Sequence, residues 1–167
     1  MEETVTAKWS QVENVYQRRS DLIPNLVNTV KTEANFEKST LEAVIQARAS
    51  ATQVKIDPTN LTPESMKAFE AAQGQLGTTL SRLLVTMEQY PNLKSNEAFN
   101  QLMSQLEGTE NRITVERREF NIAVQDYNKY IRRFPKNVWA GMFGFQTKAY
   151  FQADKGAEKT PTVNFDK

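Results

Sequence analysis

Neither cysteine nor histidine occurs in the 167 residues. The first absence excludes disulfides and thiolate chemistry; the two together remove the ligands of nearly all zinc, haem and copper sites. A di-iron carboxylate centre is excluded in its usual form, because it needs Glu-x-x-His on two helices. Without imidazole a serine nucleophile would need a lysine base, and no Ser-x-x-Lys is present. An excess of one charge is missing too. With 21 Lys and Arg against 20 Asp and Glu the net charge is +1, with no basic stripe for nucleic acid and no acidic arm. No run approaches the roughly 18 apolar residues of a membrane span, and no signal-peptide pattern is read after Met1. Paired carboxylates for glycoside chemistry do not stand out, and Asp57-Pro58-Thr59-Asn60 lacks the ligand count of a calcium loop. The sequence therefore names no catalytic, cofactor or metal residue, and catalysis is not expected.

What is present is helical periodicity. Phe99, Met103, Leu106, Glu110, Ile113, Arg117, Phe120, Val124, Tyr127, Ile131 and Phe134 follow one another in steps of four and three. That spacing keeps one seam of a long helix against its neighbours. A first helix carries a like seam, Val5, Trp9, Val12, Tyr16, Arg19, Ile23, Leu26, Val30 and Glu33. Pro24 lies inside it; the seam keeps its phase across the proline, so one bent helix is expected rather than a new start at Ser20 or Asp21.

Ser39-Thr40-Leu41-Glu42 fits a capping box and predicts a second helix with Leu41, Val44, Ile45 and Arg48 on its seam, ending near Lys55. Thr62-Pro63 predicts an N-cap with proline in the first turn of a third helix, running to about Tyr90. Its seam is Met66, Phe69, Gln73, Leu76, Leu80, Leu83, Met87 and Tyr90. Tyr90 to Lys94 reads as a turn, Ser95 as the cap of the fourth helix, and Phe134-Pro135 as its end. At ~1.5 Å per residue the last two helices span roughly 40 and 60 Å. Short connections then give an all-α, antiparallel up-down four-helix bundle over residues 1–135. Residues 136–167 form an aromatic-rich C-terminal tail on or beside it, ending in a loop-like segment.

Two groups of residues are candidates for function. Arg19, Glu33, Glu110 and Arg117 occupy phases that call for apolar side chains, and their charges cancel. An ion-pair network is expected, because an unpaired buried charge costs several kcal/mol. It either fixes helix register or forms a ligand or partner site. Gln73, Asn121 and Asn128 read the same way, the asparagines as hydrogen-bonding across helices. Gly74 and Gly77 suggest close helix approach, and Glu37, Glu42, Glu64 and Glu70 look like caps and solvated faces. In the tail, Trp139, Phe143 and Phe145 either fold over the open end of the bundle or present an apolar patch to a partner or membrane interface.

The run from Trp9 to Val27, with Tyr16-Gln17-Arg18-Arg19-Ser20-Asp21-Leu22-Ile23-Pro24-Asn25-Leu26 at its centre, resembles the signature opening of the bacterial LemA family. Tyr90 to Lys94, Arg117 to Asn121, Tyr127-Asn128, Phe134-Pro135 and Pro161 to Phe165 resemble its later motifs. Phe120 departs from the tyrosine usual there. The resemblance implies an antiparallel helical-bundle domain, an N-terminal transmembrane helix or lipid anchor just upstream of Glu2, and hence a truncated soluble piece of an envelope protein. The family has no established molecular function; its genes often lie near those of membrane proteins, including membrane metalloproteases. Transferred to this chain, its pattern marks Arg18, Arg19, Asp21, Pro24, Asn25, Glu110, Arg117, Asn121 and Asn128.

Together these readings predict a non-enzymatic, membrane-anchored interaction or scaffold domain of the bacterial envelope, on the extracytoplasmic side. Its expected partner is an envelope or membrane protein, such as a membrane protease. The alternative is a small-ligand module with a polar pocket at Arg19, Glu110, Arg117 and Asn121.

Overall fold

Thr62-Pro63 opens a helix as its capping chemistry predicts in the computed structural model, which describes residues 1–33 and 36–152. Its helices are α1 (Glu2–Val30), α2 (Lys38–Gln53), α3 (Pro63–Met87), α4 (Pro91–Lys94), α5 (Glu97–Arg132) and α6 (Lys136–Phe143). The class is all-α, with six helices among the described residues where four were expected. One extra helix is the single turn that Pro91 opens, where a plain turn was predicted. The other is α6, in the stretch read as aromatic-rich tail; it ends at Gly144, whose φ of 73° suits a residue without Cβ.

Two caps differ from expectation. The N-cap of α2 is Glu37, so Ser39 lies inside the helix and makes no capping box. The chain turns inward just before that point, where Phe36 packs on the ring of Tyr90. Asn96 rather than Ser95 caps α5, its side chain accepting the Phe99 N–H at 3.2 Å. Ser95 is still in a helical conformation at the end of α4, and the backbone becomes extended only at Asn96. Thr62 does cap α3, in a reciprocal box with Ser65.

α1 continues through Pro24. The proline has no N–H, which leaves the Ser20 carbonyl one turn earlier without its helical donor. Nε of Arg48, from α2, donates to that carbonyl at 2.7 Å. The seam of α2 falls on Leu41, Val44, Ala47 and Ala51, while Ile45 faces solvent.

The buried apolar residues divide into two clusters. One joins Leu22 to Val30 of α1 with Leu41 and Val44 of α2, Leu76 to Met87 of α3, and Phe99 and Leu106 of α5. The other joins Val5 to Tyr16 with Met66 and Phe69 of α3, and Ile113 to Tyr127 of α5. α1 and α5 run antiparallel, since Trp9 meets Phe120 and Arg19 meets Glu110. On three helices the residues between the clusters are polar: Arg19 and Ser20, Gln73, and Thr109 are all buried. A polar layer thus crosses the middle of the molecule.

Candidate functional site

The polar layer is organised by Arg19. Its Nη2 donates to the carbonyl and the Oε1 of Gln73 at 2.9 and 2.7 Å, and its Nη1 to Glu110 Oε1 at 3.1 Å. The guanidinium also lies 5.2 Å from the Tyr16 ring centre. A Cβ at Gly77 would lie in ordinary van der Waals contact with Nη1, at 3.7 Å, and Gly74 faces open space, so the close helix approach expected of these two glycines is not what the packing requires. Arg19 is buried with Nε unpartnered, but the Glu110 side chain keeps 46 % of its surface. Glu110 therefore stands at the rim of the seam and reaches solvent. Glu33 lies half-buried just beyond α1, about 20 Å along the helix direction from Arg19 and outside the layer.

Arg117 makes a different set of contacts. Its Nη2 is 3.3 Å from Glu70 Oε1 and 3.3 Å from the Gln152 carbonyl, and its guanidinium covers the Phe151 ring at 4.8 Å. Glu70, expected on a solvated face, also accepts the Gln152 N–H at 2.9 Å. The four seam charges thus separate into Arg19–Glu110, Arg117–Glu70 and Glu33, which joins neither pair among the described residues. Tyr16 lies near both arginines. Burial pushes its phenol above the ordinary range, and the charges of Arg117 and Arg19 offset part of that rise.

Asn121 and Asn128 bind the tail rather than another helix. Nδ2 of Asn128 donates to the Lys148 carbonyl at 3.0 Å, and its Oδ1 accepts the Lys148 N–H at 2.8 Å. Asn121 treats Phe151 alike, at 3.1 and 2.9 Å. A carboxamide has a donor and an acceptor side by side, so it can satisfy both polar groups of one residue in an extended chain. The Ala149 N–H donates to the Leu61 carbonyl at 3.2 Å. Phe151 fills a pocket of aromatic rings, 5.8 Å from Trp9, 6.1 Å from Phe69 and 5.5 Å from Phe120. Nζ of the buried Lys148 reaches Glu2 Oε1 at 3.2 Å and lies over the Tyr127 ring. The contacts of Glu2, Glu70 and Lys148 were not visible in the sequence; the paired asparagines were the one signal of a clamped strand.

The predicted contact residues lie elsewhere. Trp139, Phe143 and Phe145 are exposed, and the rings of Trp139 and Phe143 stack at 6.4 Å. Val138 and Met142 share their face, Phe134 is 82 % exposed, and Ala140 is the residue of α6 that turns inward. Nζ of Lys136 sits 3.7 Å from the Tyr130 ring centre, tying the start of α6 to the end of α5. The aromatic side chains therefore do not close the bundle; they project from it.

A groove of about 380 Å³ takes in Tyr16 and Gln73. Another of about 360 Å³ takes in Glu110. Neither brings Glu110 together with Arg117 and Asn121. Among the described residues no group of acidic side chains is placed to hold a metal ion, and no helix is long and apolar enough to cross a membrane.

A family model described as LemA family matches residues 8–165. Magnetosome proteins MamQ 1 and MamQ 2 of Paramagnetospirillum magneticum are each 31 % identical to the chain, over 98 % of its length and 66 % of theirs. Protein LemA of Metamycoplasma hominis is 25 % identical over 87 % of the chain and 63 % of its own length. The chain thus spans just under two thirds of these relatives, and the match runs through the polar layer, the asparagine pair and α6. On this agreement of sequence and family pattern, the chain belongs to the LemA family.

Proposed function

We propose that the chain is a non-enzymatic interaction domain of a membrane-associated bacterial envelope protein, with the aromatic end at α6 as its working surface. The four long helices serve as an up-down bundle, a rigid support on which that surface is mounted. An anchor upstream of Glu2 holds the domain at the extracytoplasmic face of the membrane, where α6 meets an envelope or membrane component; a membrane protease is one such component. The observation that carries this reading is the contrast along the tail. Residues 148–152 are bound through their backbone and the Phe151 ring, yet Trp139, Met142 and Phe143 are held in helical order and left exposed. Exposed apolar clusters of this kind mark interaction sites.

The test is photo-crosslinking in cells with the full-length protein, using probes at Trp139 and Phe143 and control probes at Val85 and Ile45. Adducts confined to the α6 probes support the proposal; equal yields at all four positions oppose it.

A small-ligand module at the polar layer is the second reading. It is favoured by the unpartnered Nε of Arg19 beside a carboxylate that reaches solvent. A ligand there should raise the melting temperature of the chain, and Arg19→Met should abolish that rise.

A further inference from the structure

The α6 end combines exposed rings with an unbalanced charge. No acidic residue occurs between Asp126 and Asp154, whereas Lys129, Arg132, Arg133, Lys136 and Lys148 all fall in that interval. Lys148 is buried and paired with Glu2. The other four lie on the last turn of α5 and the first of α6, and all are exposed. The chain as a whole is nearly neutral, so this is a local excess; at the same end the first turn of α1 sets Glu2, already paired with Lys148, and Glu3 against these four bases. The apolar side chains stand directly beside it: Phe134 between the basic residues in sequence, and Val138, Trp139, Met142 and Phe143 on the outward side of α6. Ala140 turns inward on the opposite side.

We infer that this end docks on an anionic lipid surface. A short helix with tryptophan and phenylalanine on its outer face and Lys136 in its first turn, entered from Arg132 and Arg133 at the end of α5, matches the pattern of helices that lie in the headgroup region. The rings partition at the boundary of headgroup and acyl chain, where tryptophan is favoured. Lys129, Arg132, Arg133 and Lys136 meet the lipid phosphates, each contributing roughly a fivefold gain in affinity near an anionic surface. The geometry also suits an anchored domain, because the first turn of α1 lies at the same end, with Glu2 bonded to the tail. This inference rests on the proposed role of α6 and names what covers it.

The 167-residue chain carries its own reporter. Trp9 is buried and Trp139 is exposed, so a change in tryptophan emission on binding reports α6. The experiment mixes the chain with vesicles of phosphatidylcholine alone and of equal parts phosphatidylcholine and phosphatidylglycerol, and follows co-sedimentation and emission. The expected result is binding to the anionic vesicles only, a blue shift that Trp139→Phe removes, and weakening by added salt. Arg132→Gln with Arg133→Gln should weaken binding about 25-fold. Trp139→Ser with Phe143→Ser should weaken it at least tenfold at an unchanged melting temperature. Absence of binding to anionic vesicles overturns the inference, as does binding indifferent to both double variants. If α6 probes still capture a protein in cells in that event, the lipid assignment fails while the role of α6 as working surface stands. If α6 neither binds lipid nor yields adducts, both fail.

Discussion

Asn121 and Asn128 stand seven residues apart on α5, and the residues they grip, Phe151 and Lys148, stand three apart on the tail. Seven residues of helix rise about 10.5 Å, and three residues of extended chain cover about 10 Å. The two lengths agree, so one helix face can grip two positions of a chain segment running the opposite way without distortion. The tail is therefore fixed through its backbone, with Phe151 as its aromatic anchor.

Removing either carboxamide should loosen that strand. Asn128→Ala leaves the N–H and carbonyl of a buried residue unsatisfied and should cost about 2–4 kcal/mol; Asn121→Ala, less buried, should cost about 1–3 kcal/mol. Because both hold one strand, the double variant should cost less than their sum. Urea unfolding gives the energies, and hydrogen exchange at Lys148 and Phe151 should quicken in each variant.

The partners of the Arg19 pair differ in burial, and so should their substitutions. Arg19→Ala empties a buried site that bonds Gln73 twice and should cost about 2–4 kcal/mol. Glu110→Ala leaves the buried Arg19 guanidinium without its counter-ion and should give the larger loss, about 3–5 kcal/mol, whereas Arg19→Ala leaves only a carboxylate that water already reaches. Thermal unfolding of the two variants checks the asymmetry; equal losses would refute it.

Pro24 and Arg48 should be coupled through the Ser20 carbonyl. Arg48→Ala alone leaves that acceptor without a partner and should cost about 1–2 kcal/mol. In a Pro24→Ala background the new N–H of residue 24 can take the carbonyl, and the same Arg48→Ala change should cost roughly 1 kcal/mol less. A double-mutant cycle in urea measures the coupling.

How much of this was legible follows from the kind of signal each feature leaves. The seams of α1, α3 and α5 were readable because burial repeats with the helical period, and Met66 through Met87 fell where expected. Pro63 and Thr62 marked a helix start by local chemistry alone. The contacts of Glu70 and Lys148 were not readable, since each depends on a tail strand with no periodicity of its own. The charged network was expected to be one unit because Arg19, Glu110 and Arg117 share a phase; it divides because Arg117 meets the tail instead. Trp139 and Phe143 showed their apolar character but not their exposure, which depends on α6 turning only Ala140 inward.

Alkaline pH should destabilise the fold through its buried phenols. Burial raises the pKa of Tyr16 and Tyr127 above the ordinary range of a tyrosine phenol. In the interval between the unfolded and folded pKa values the native chain binds more protons, so stability falls as pH rises. The contribution is intact below about pH 10 and is lost as pH climbs through the raised values. Tyr127→Phe should flatten the decline in melting temperature above pH 10 while leaving the slope near neutrality unchanged.

The central claim, that the α6 end is the covered working surface in the native setting, can be tested with a single introduced thiol. The chain has no cysteine, so Phe143→Cys gives it one reporter, and Val85→Cys gives an exposed control elsewhere. Maleimide labelling is compared between native membranes from cells that make the protein and the purified 167-residue chain. Protection of position 143 in membranes, with position 85 reactive in both samples, is the predicted result. Equal reactivity of position 143 in both samples would contradict the account.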